Sequence, residues 1–465
     1  MVPLLGNFIK KLFMNQKMDC FENFLKLFYE KRVGILGLGI TGMSCVKAVH
    51  PIAKSCICFD DNPQASKSIP SSFFNVTVSN NVCDDLWSCI DILITSPGVI
   101  TSGEGAHPLI ARMKKLSIPL ISDVEMLFVK YPNAKYLGIT GTNGKSTVTA
   151  MTAHILQSCG YNYVAGGNIG VPCMDLPKAD GYVLEISSNQ LELLKNACFE
   201  VIIITNLTPD HLDRYGSLSN YYLTKLSILN FLSSKGTCIT SAFDEDLSYK
   251  ISKEKFAHSL IIKNRNDELP PLALFSNSPI RPENQDTIPF CLSSNSFLAA
   301  LACKIVGCAF DAIEEGIKSF KNLPHRMQHV GDLKLISFIN DSKATNVEST
   351  LYAFAGLSQE VYWIAGGKNL GADLSPLEQY HNKIKKCYFF GESRFALHEL
   401  FAPLVECFLC ENLEEAFQNS VRDASFSTTK CIVLFSPAHK SFDQFKNFEE
   451  RGMAFVNLCN KLISI

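Results

Sequence analysis

Residues 138–147 read Gly-Ile-Thr-Gly-Thr-Asn-Gly-Lys-Ser-Thr, after the start of an apolar strand-like run and before a helical pattern. Glycines allow successive backbone amides to point inward around phosphate oxygens, and the N-terminus of the following helix adds to the attraction. In such a loop the Lys145 ammonium would reach the β- and γ-phosphates, and the Ser146 hydroxyl would reach Mg²⁺. The stretch therefore predicts a strand, a phosphate-binding loop and a helix within a parallel α/β domain.

A second glycine-rich turn, Gly37-Leu-Gly-Ile-Thr-Gly42, also lies between a short strand and a helical pattern. Asp60 stands at the end of the next predicted strand, which matches the spacing of a dinucleotide-binding fingerprint. The spacing alone predicts a phosphate or a ribose at this turn and does not specify nicotinamide. A tight packing turn that binds no ligand is the alternative.

Three successive sections of the 465 residues each alternate strand-like and helical stretches. A typical length of ~150 residues per domain also gives about three domains. Such alternation predicts parallel sheets. We therefore expect an α/β fold with an N-terminal Rossmann-like domain, a central P-loop ATPase-like domain and a C-terminal Rossmann-like domain. The predicted boundaries are 31–130, 131–323 and 324–465, after an N-terminal extension of unknown role at 1–30. The run Leu333–Ile339 is predicted as the first strand of the last domain.

Composition excludes several classes of function. The 43 Lys and Arg residues nearly balance the 45 Asp and Glu residues, so the chain does not indicate binding to nucleic acid or to an anionic membrane. No apolar run reaches the length of about 18 residues that a membrane span needs. The cysteines lie scattered in apolar strings, which favours reduced, mostly buried thiols in a cytoplasmic protein. The fold proper is expected to begin at Val33. The preceding residues are expected to be a dispensable extension, with an amphipathic helix or a leader sequence upstream of the true start as alternatives.

Further polar clusters follow predicted strands. Glu185 ends one strand and His211 follows the next, so a carboxylate and an imidazole lie where a divalent metal beside a nucleotide could be held. Residues 340–346 and 436–452 follow strands of the last domain. Ligands bind at the carboxyl ends of strands in such sheets, whereas charge alone would predict solvated loops. A structural histidine is the alternative at His211.

Together these strings resemble the Mur ligase family, and most closely its D-glutamate-adding branch, from about Lys31 to the C-terminus. The string at 341–346 and the string at 443–452 resemble that branch specifically. The matching strings are Gly-Thr-Asn-Gly-Lys-Ser at 141–146, Gly-Gly-Asn-Ile-Gly at 166–170, Leu-Glu-Ile-Ser-Ser at 184–188, Asp-His-Leu-Asp-Arg-Tyr at 210–215, Leu-Pro-His-Arg at 323–326 and Asp-Ser-Lys-Ala-Thr-Asn at 341–346.

The resemblance implies an ATP-dependent amide ligase with one domain for UDP, one for ATP and one for the incoming amino acid. Its implied partners are ATP, UDP-N-acetylmuramoyl-L-alanine and D-glutamate. Mg²⁺ is implied as cofactor, together with CO₂ or bicarbonate that would carbamylate Lys225, fourteen residues after His211. A carbamate turns an ammonium into an anion, which can lie beside Mg²⁺.

The site residues come from the same resemblance. Those implied to bind ATP are Gly141, Thr142, Asn143, Gly144, Lys145, Ser146, Thr147, Asn295, Arg326 and Asp341. Those implied to bind the UDP substrate are Ile40, Thr41, Asp60, Asp61, Gly98, Asn168 and His211. Those implied to bind D-glutamate are Thr345, Lys368, Ser441, Phe442 and Phe448. The implied metal ligands are Ser146, Glu185, His211 and carbamylated Lys225, and the implied catalytic residues are Lys145, His211, Lys225 and Lys343.

The sequence departs from the family pattern in three places. The usual His-Asn-x-x-Asn string reads Leu-Ser-Ser-Asn-Ser at 292–296, which leaves Asn295 one position out of register. In the family a basic residue often stands two positions after Asp60, where this chain has Asn62. In the string at 436–452, His439 and Lys440 replace small residues of the family pattern.

Three other functions remain open at this point. One is another amide ligase of the same family, such as an L-alanine- or diamino-acid-adding enzyme or a folylpolyglutamate synthase. The others are a nicotinamide oxidoreductase built on the turn at 37–42 and a catalytically silent P-loop protein. The strings at 341–346 and 443–452 argue against another amide ligase of the family. A nicotinamide oxidoreductase would leave the loop at 138–147 unexplained. Retained Lys145, Glu185 and His211 argue against the third. We expect a cytoplasmic monomer.

Overall fold

The structure is a computed structural model that describes residues 21–103, 105–208, 212–242, 259–263, 290–369 and 371–464. His211, one of the predicted site residues, lies outside the described residues. Two compact units are formed, one from residues 1–278 and 298–318 and the other from residues 279–297 and 319–465.

The first unit contains two parallel sheets, of which the first has the order β3-β2-β1-β4-β5. Its strands are apolar and mostly buried, as expected for a parallel sheet with helices on both faces. The strands are β1 (Arg32–Leu36), β2 (Ser55–Phe59), β3 (Val76–Val78), β4 (Ile92–Thr95) and β5 (Leu120–Ser122), and the helices are α1 (Phe21–Phe28), α2 (Ile40–Val49), α3 (Pro108–Lys115) and α4 (Asp123–Lys130).

The second sheet has the order β11-β10-β9-β6-β8-β7, again all parallel. Gly138 in the middle of β6 is required by packing, because a Cβ there would lie 2.8 Å from the Phe199 ring. The strands are β6 (Lys135–Thr140), β7 (Tyr163–Gly167), β8 (Gly181–Glu185), β9 (Phe199–Ile204), β10 (Leu232–Ala242) and β11 (Ser259–Lys263). The helices are α5 (Lys145–Ser158), α6 (Ser188–Leu191), α7 (Leu212–Tyr215), α8 (Leu218–Leu226), α9 (Phe290–Val306) and α10 (Phe310–Ser319).

The second unit contains a sheet of order β12-β13-β17-β14-β15-β16, parallel except for β12. Two apolar clusters cover its faces. The strands are β12 (Gln328–Leu333), β13 (Ile336–Asn340), β14 (Glu360–Gly366), β15 (Ile384–Phe390), β16 (Glu406–Leu409) and β17 (Cys431–Phe435), and the helices are α11 (Val347–Ala355), α12 (Arg394–Phe401), α13 (Leu413–Ala424) and α14 (Phe448–Ile463).

These sheets confirm the predicted three-domain α/β fold, while the residue boundaries of the domains stay predictions. One predicted strand is wrong. The run Leu333–Ile339 is interrupted by a tight turn at Lys334, whose φ is 56°, so that β12 and β13 form an antiparallel hairpin.

The start of the folded region was also predicted wrongly. Helix α1 precedes Val33, and its Phe24 and Phe28 side chains are buried in one apolar cluster with residues of both sheets of the first unit. The residues before Val33 are therefore part of the core at least from Phe21 onward. An amphipathic helix was one of the alternatives for this stretch, and α1 confirms it from Phe21 to Phe28.

Every described cysteine is free, and most are buried. Cys407 and Cys410 have the CxxC spacing found in some metal and redox sites, and both are free. Within the described ranges, no helix has the length and apolar character that crossing a bilayer requires.

Candidate active site

The loop after β6 has the backbone form that phosphate binding needs. Gly141 has φ 137°, and a Cβ at this position would lie 2.1 Å from the Thr205 hydroxyl oxygen. Gly144 has φ 84° and caps the N-terminus of α5. Because only glycine adopts such angles without strain, the two positions fix a loop that leads directly into the helix N-terminus.

The neighbouring strand holds this loop in place through the residues that follow β9. The Asn143 amide donates to the Asn206 side-chain oxygen at 2.9 Å, and the Thr142 amide donates to the Asn206 carbonyl oxygen at 2.9 Å. The Thr205 hydroxyl donates to the Asn143 carbonyl oxygen at 2.6 Å. The loop conformation therefore depends on its own glycines and on hydrogen bonds with Thr205 and Asn206, which the loop motif does not include.

Two lysines meet at this loop. The Lys145 ammonium donates to the carbonyl oxygens of Gly141 and Thr142 at 2.9 and 2.7 Å. The Lys225 ammonium donates to the same Gly141 oxygen at 2.8 Å and is only 2% exposed. The ring of Tyr221 lies 4.8 Å from the Lys225 nitrogen, and its hydroxyl lies 3.2 Å from the Thr142 hydroxyl.

Glu185 ends β8 beside the loop and is 3% exposed. One carboxylate oxygen accepts from the Asn168 side chain at 3.2 Å, whereas the other is buried and accepts no hydrogen bond from any described residue. A buried carboxylate oxygen in this condition is costly unless a cation or a donor joins it. Together with the buried Ser146 hydroxyl, Glu185 therefore fits the predicted Mg²⁺ site.

The described part of the chain holds no group of three or more His, Cys, Asp or Glu side chains arranged around a metal position. The metal-binding role of the predicted ligand set stays a prediction. Glu185 is its sole member of those residue types within the described ranges, since His211 lies outside them and the other ligands are a serine and a lysine.

A cavity of about 760 Å³ opens at the carboxyl edge of the first sheet. It brings together all the residues predicted for the UDP substrate that the structure describes, and their binding role stays a prediction. Ser96 and His107, which line the same cavity, were missed because neither belongs to a recognised motif. The predicted lining residues are Ile40, Thr41, Asp60, Asp61, Gly98 and Asn168.

Asp60 holds the glycine-rich turn that forms one wall of this cavity. Its two carboxylate oxygens accept from the backbone amides of Leu38 and Asn62. The neighbouring Asp61 is mostly exposed, and its carboxylate lies 3.3 Å from the His107 imidazole. Asn168 lines the cavity and also donates to Glu185, so this residue connects the cavity to the phosphate loop.

A buried polar network joins the two sheets of the first unit. The Thr101 hydroxyl and the Arg214 guanidinium both bind the Glu192 carboxylate, at 2.7 and 3.2 Å. The Tyr215 hydroxyl donates to the same carboxylate at 3.2 Å, and Asn189 donates to the carbonyl oxygen of Pro97 at 2.8 Å. Arg214 belongs to the family string at 210–215, and the string alone assigns it no role.

The second unit gathers the remaining predicted residues after β13, β14 and β17. Asp341 follows β13 and accepts from the Ser436 hydroxyl at 2.9 Å and from the Met327 amide at 3.1 Å. Burial raises the pKa of the Asp341 carboxyl to about 7, against the opposing effect of those hydrogen bonds and of nearby arginines. Arg326 is one of the two arginines that act on it.

Lys343 and the residues predicted for D-glutamate belong to the same unit. The Lys343 ammonium lies 4.8 Å above the Phe448 ring. Lys368 forms an ion pair with Glu392 at 2.8 Å, and its amide donates to the Lys440 carbonyl oxygen at 2.8 Å. Ser441 is buried, Thr345 is half-buried and Phe442 is 65% exposed. Asn295 lies half-buried in α9. The ligand assignments of all these residues stay predictions.

Comparison with known proteins agrees with this geometry. The sequence profile of the Mur ligase middle domain matches residues 139–278. A UDP-N-acetylmuramoylalanine–D-glutamate ligase of Rickettsia prowazekii is 35% identical over 453 residues, which cover 94% of this chain and 99% of that protein. The enzyme of the same name from Rickettsia felis is 33% identical over 447 residues and is covered to 97%. The solved structure of a UDP-N-acetylmuramate–alanine ligase from Thermotoga maritima shares the fold, with a TM-score of 0.60, 16% identity and coverage of 93% of this chain and 100% of that one.

The three α/β domains and the loop at 138–147 place the chain in the class of P-loop nucleotide-binding proteins with the Mur ligase fold. The identity and coverage found with the Rickettsia enzymes show that the chain belongs to the UDP-N-acetylmuramoylalanine–D-glutamate ligase family. The resemblance identified from the sequence strings is thereby confirmed.

Proposed function

We propose that this chain is an ATP-dependent ligase that adds D-glutamate to UDP-N-acetylmuramoyl-L-alanine in peptidoglycan precursor synthesis. The observation that carries the proposal is the loop at 141–147, with its two lysines and Glu185 beside the cavity at the first sheet. Membership of the D-glutamate ligase family supports the choice of substrate. In the proposed reaction, the carboxylate of the UDP substrate attacks the γ-phosphate of ATP to give an acyl phosphate and ADP. The amine of D-glutamate then attacks the acyl carbon, and phosphate leaves.

In this scheme the chain mainly positions its substrates and compensates negative charge. The backbone amides of the loop and the Lys145 ammonium, which lies at the N-terminus of α5, bind the phosphates of ATP. Lys145 now donates to Gly141 and Thr142, and it exchanges these contacts for phosphate oxygens. Asn168 orients the UDP substrate between the cavity and Glu185.

Ser146, Glu185, His211 and Lys225 are the residues that would hold Mg²⁺. Bound there, Mg²⁺ would neutralise charge that develops on the transferred phosphoryl group. The partner-less carboxylate oxygen of Glu185 supports this assignment. Lys225 takes part as its carbamate. Its neutral amine bonds to CO₂ and releases a proton, so that an anion replaces the positive charge buried beside Lys145.

The second unit supplies Arg326, Asp341 and Lys343 to ATP and Thr345, Lys368, Ser441, Phe442 and Phe448 to D-glutamate. Support comes from the position of most of these residues beyond the carboxyl ends of β13, β14 and β17, where parallel sheets bind ligands, whereas Arg326 precedes β12 and Phe448 begins α14. The enzyme acts as a monomer in the cytoplasm, and the free, mostly buried cysteines of the described residues support the reducing compartment. Light scattering of the purified protein checks the monomer.

The test is phosphate release by the purified protein in an omit-one series of ATP, Mg²⁺, UDP-N-acetylmuramoyl-L-alanine and D-glutamate. We expect release only when all are present, and we expect the Lys145→Ala variant to lose it. Lys135→Ala is the matched control, because this exposed lysine begins β6, the strand that leads into the loop, and among the described residues its ammonium forms only a long ion pair with Glu200. Release that persists without D-glutamate, or that needs another amino acid, would overturn the choice of substrate. NADH binding without phosphate release would favour the oxidoreductase.

A further inference from the structure

Arg451 is the most deeply buried cation in the second unit that the proposed function does not use. It lies in the first turn of α14 and is 0% exposed. A guanidinium with five donors is expensive to bury unless its donors find acceptors. Its contacts therefore show which segments this side chain holds together.

The guanidinium binds three segments that follow three different strands. Its Nε donates to the Ser342 hydroxyl at 3.1 Å, and Nη2 donates to the Ser342 carbonyl oxygen at 2.8 Å. Nη1 donates to the carbonyl oxygen of His439 at 2.9 Å and, more weakly, to that of Gly366 at 3.4 Å. Ser342 lies two residues after β13, His439 lies four residues after β17, and Gly366 is the last residue of β14.

The same three segments carry the residues proposed to bind D-glutamate. Thr345 lies three residues beyond Ser342, and Ser441 lies two residues beyond His439. Lys368 lies two residues beyond Gly366 and is tied through its amide to Lys440. The Ser342 hydroxyl in turn donates to the carbonyl oxygen of Phe448, the fourth proposed pocket residue that is connected to the Arg451 contacts.

The charge of Arg451 is not neutralised by a close partner. Among the described residues, the acceptors that its guanidinium contacts are a hydroxyl and backbone carbonyl oxygens, all of them neutral. Burial lowers the pKa of Arg451 to about 9, while Asp443 and Asp341 act at longer range in the opposite direction. The guanidinium therefore remains charged at neutral pH and adds positive potential at this sheet edge, which favours an amino acid with two carboxylates.

We propose that Arg451 is a positioning residue that sets the width and charge of the D-glutamate pocket by tying the ends of β13, β14 and β17 together. The proposal rests on the proposed function. Arg451 does not touch the substrate in this scheme and acts through Ser342, His439 and Gly366. A lysine at this position would keep the charge, but its single nitrogen could not span acceptors on three segments.

The experiment compares Arg451→Lys, Arg451→Met and Ser342→Ala with the wild type in steady-state phosphate release. We expect both Arg451 variants to raise KM for D-glutamate about tenfold or more, with KM for ATP and for UDP-N-acetylmuramoyl-L-alanine within about twofold. Ser342→Ala removes one hydrogen-bond acceptor of the guanidinium and is expected to raise the same KM a few-fold. Because its side chain is small, this variant is informative even if both Arg451 variants fail to fold.

Arg422→Met is the control, since Arg422 is exposed and pairs only with its neighbour Asp423. Unchanged KM for D-glutamate in folded Arg451→Lys or in Ser342→Ala would overturn the proposal. So would an equal rise of all three KM values, because it would indicate general damage. A wild-type protein that ignores D-glutamate altogether would instead reject the proposed function, before any variant is compared.

Discussion

The ammonium nitrogens of Lys145 and Lys225 both donate to the carbonyl oxygen of Gly141, at 2.9 and 2.8 Å. Two like charges that share one acceptor in a buried loop repel each other, and water screens the repulsion poorly there. Conversion of one of them into an anion would replace the repulsion by attraction. Lys225, the more buried of the two, is the proposed carbamate.

The first prediction follows from this pair. Phosphate release in rigorously CO₂-free buffer should fall about tenfold or more and return when bicarbonate is added, because the carbamate forms and decays reversibly. ¹³C-bicarbonate should give a carbamate NMR signal in the wild type. Lys225→Arg should be slow, show no such signal and ignore bicarbonate. Full activity without CO₂, with no carbamate signal, would contradict the assignment.

The second prediction concerns the phosphate loop. Gly141→Ala places a Cβ 2.1 Å from the Thr205 hydroxyl in a backbone with φ 137°. We expect it to lower the free energy of unfolding of the first unit by about 3 kcal/mol or more and to weaken ATP binding. Gly160→Ala is the matched control, because its φ is also positive but no atom lies within 4 Å of the added Cβ. This control should cost only about 1 kcal/mol. Equal losses in the two variants would show that steric closeness at Gly141 is unimportant.

The third prediction concerns Asp341, whose folded-state pKa of about 7 lies above that of an unfolded aspartate. Between the two pKa values the folded state binds more protons than the unfolded state, so stability falls as pH rises from about 4 to about 7. The contribution of this carboxyl reaches at most about 1.4 kcal/mol per pH unit. Asp341→Asn should remove that slope.

The measurement is urea unfolding followed by tryptophan fluorescence in a Trp87→Phe background, where Trp363 of the second unit is the remaining tryptophan of two. Asp332→Asn is the control with the opposite sign, since hydrogen bonds from Ser337 and His329 lower the pKa of Asp332. Its stabilising effect is lost as pH falls through the lowered pKa. An unchanged slope in Asp341→Asn would show that Asp341 is ionised throughout.

The fourth prediction concerns the cavity at the first sheet. Asp60→Ala releases the amides of Leu38 and Asn62 and should loosen the turn at 37–42. Calorimetry should show the Kd of UDP-N-acetylmuramoyl-L-alanine raised about tenfold or more, with ATP binding unchanged. Asp85→Ala, an exposed aspartate of the same domain, serves as the reference and should bind like the wild type. Tight substrate binding by Asp60→Ala would mean that the turn is not part of the site.

The fifth prediction concerns α1. Phe24→Ala removes a fully buried ring and should cost about 3–5 kcal/mol of unfolding free energy in the first unit. Phe74→Ala removes a ring that is 88% exposed and should change stability by less than about 0.5 kcal/mol. Thermal unfolding of the two variants compares them directly, and equal melting temperatures would assign α1 no stabilising role.

Sequence reasoning identified the parts of the molecule in which local chemistry decides the structure. The loop at 138–147 and the polar ends of β8 and β13 follow from glycine conformations and from the topology of parallel sheets. The supporting contacts of Asn206, Glu192 and Arg451 could not be predicted, because they join residues far apart in the sequence. Arg451 lies in the string at 443–452, but that string does not show what its side chain contacts. The hairpin before β13 was missed since Lys334 adopts a positive φ that nothing in its sequence requires.

The apolar cluster that contains Phe24 continues without interruption from the first sheet, at Ile35, to the second, at Ile204. Two sheets that share one core lose it together, so they should melt as a single cooperative unit rather than as two domains. The UDP cavity and the phosphate loop would then have no independent stabilities. A ligand of either one would protect both from amide hydrogen exchange, even where it touches only one of them.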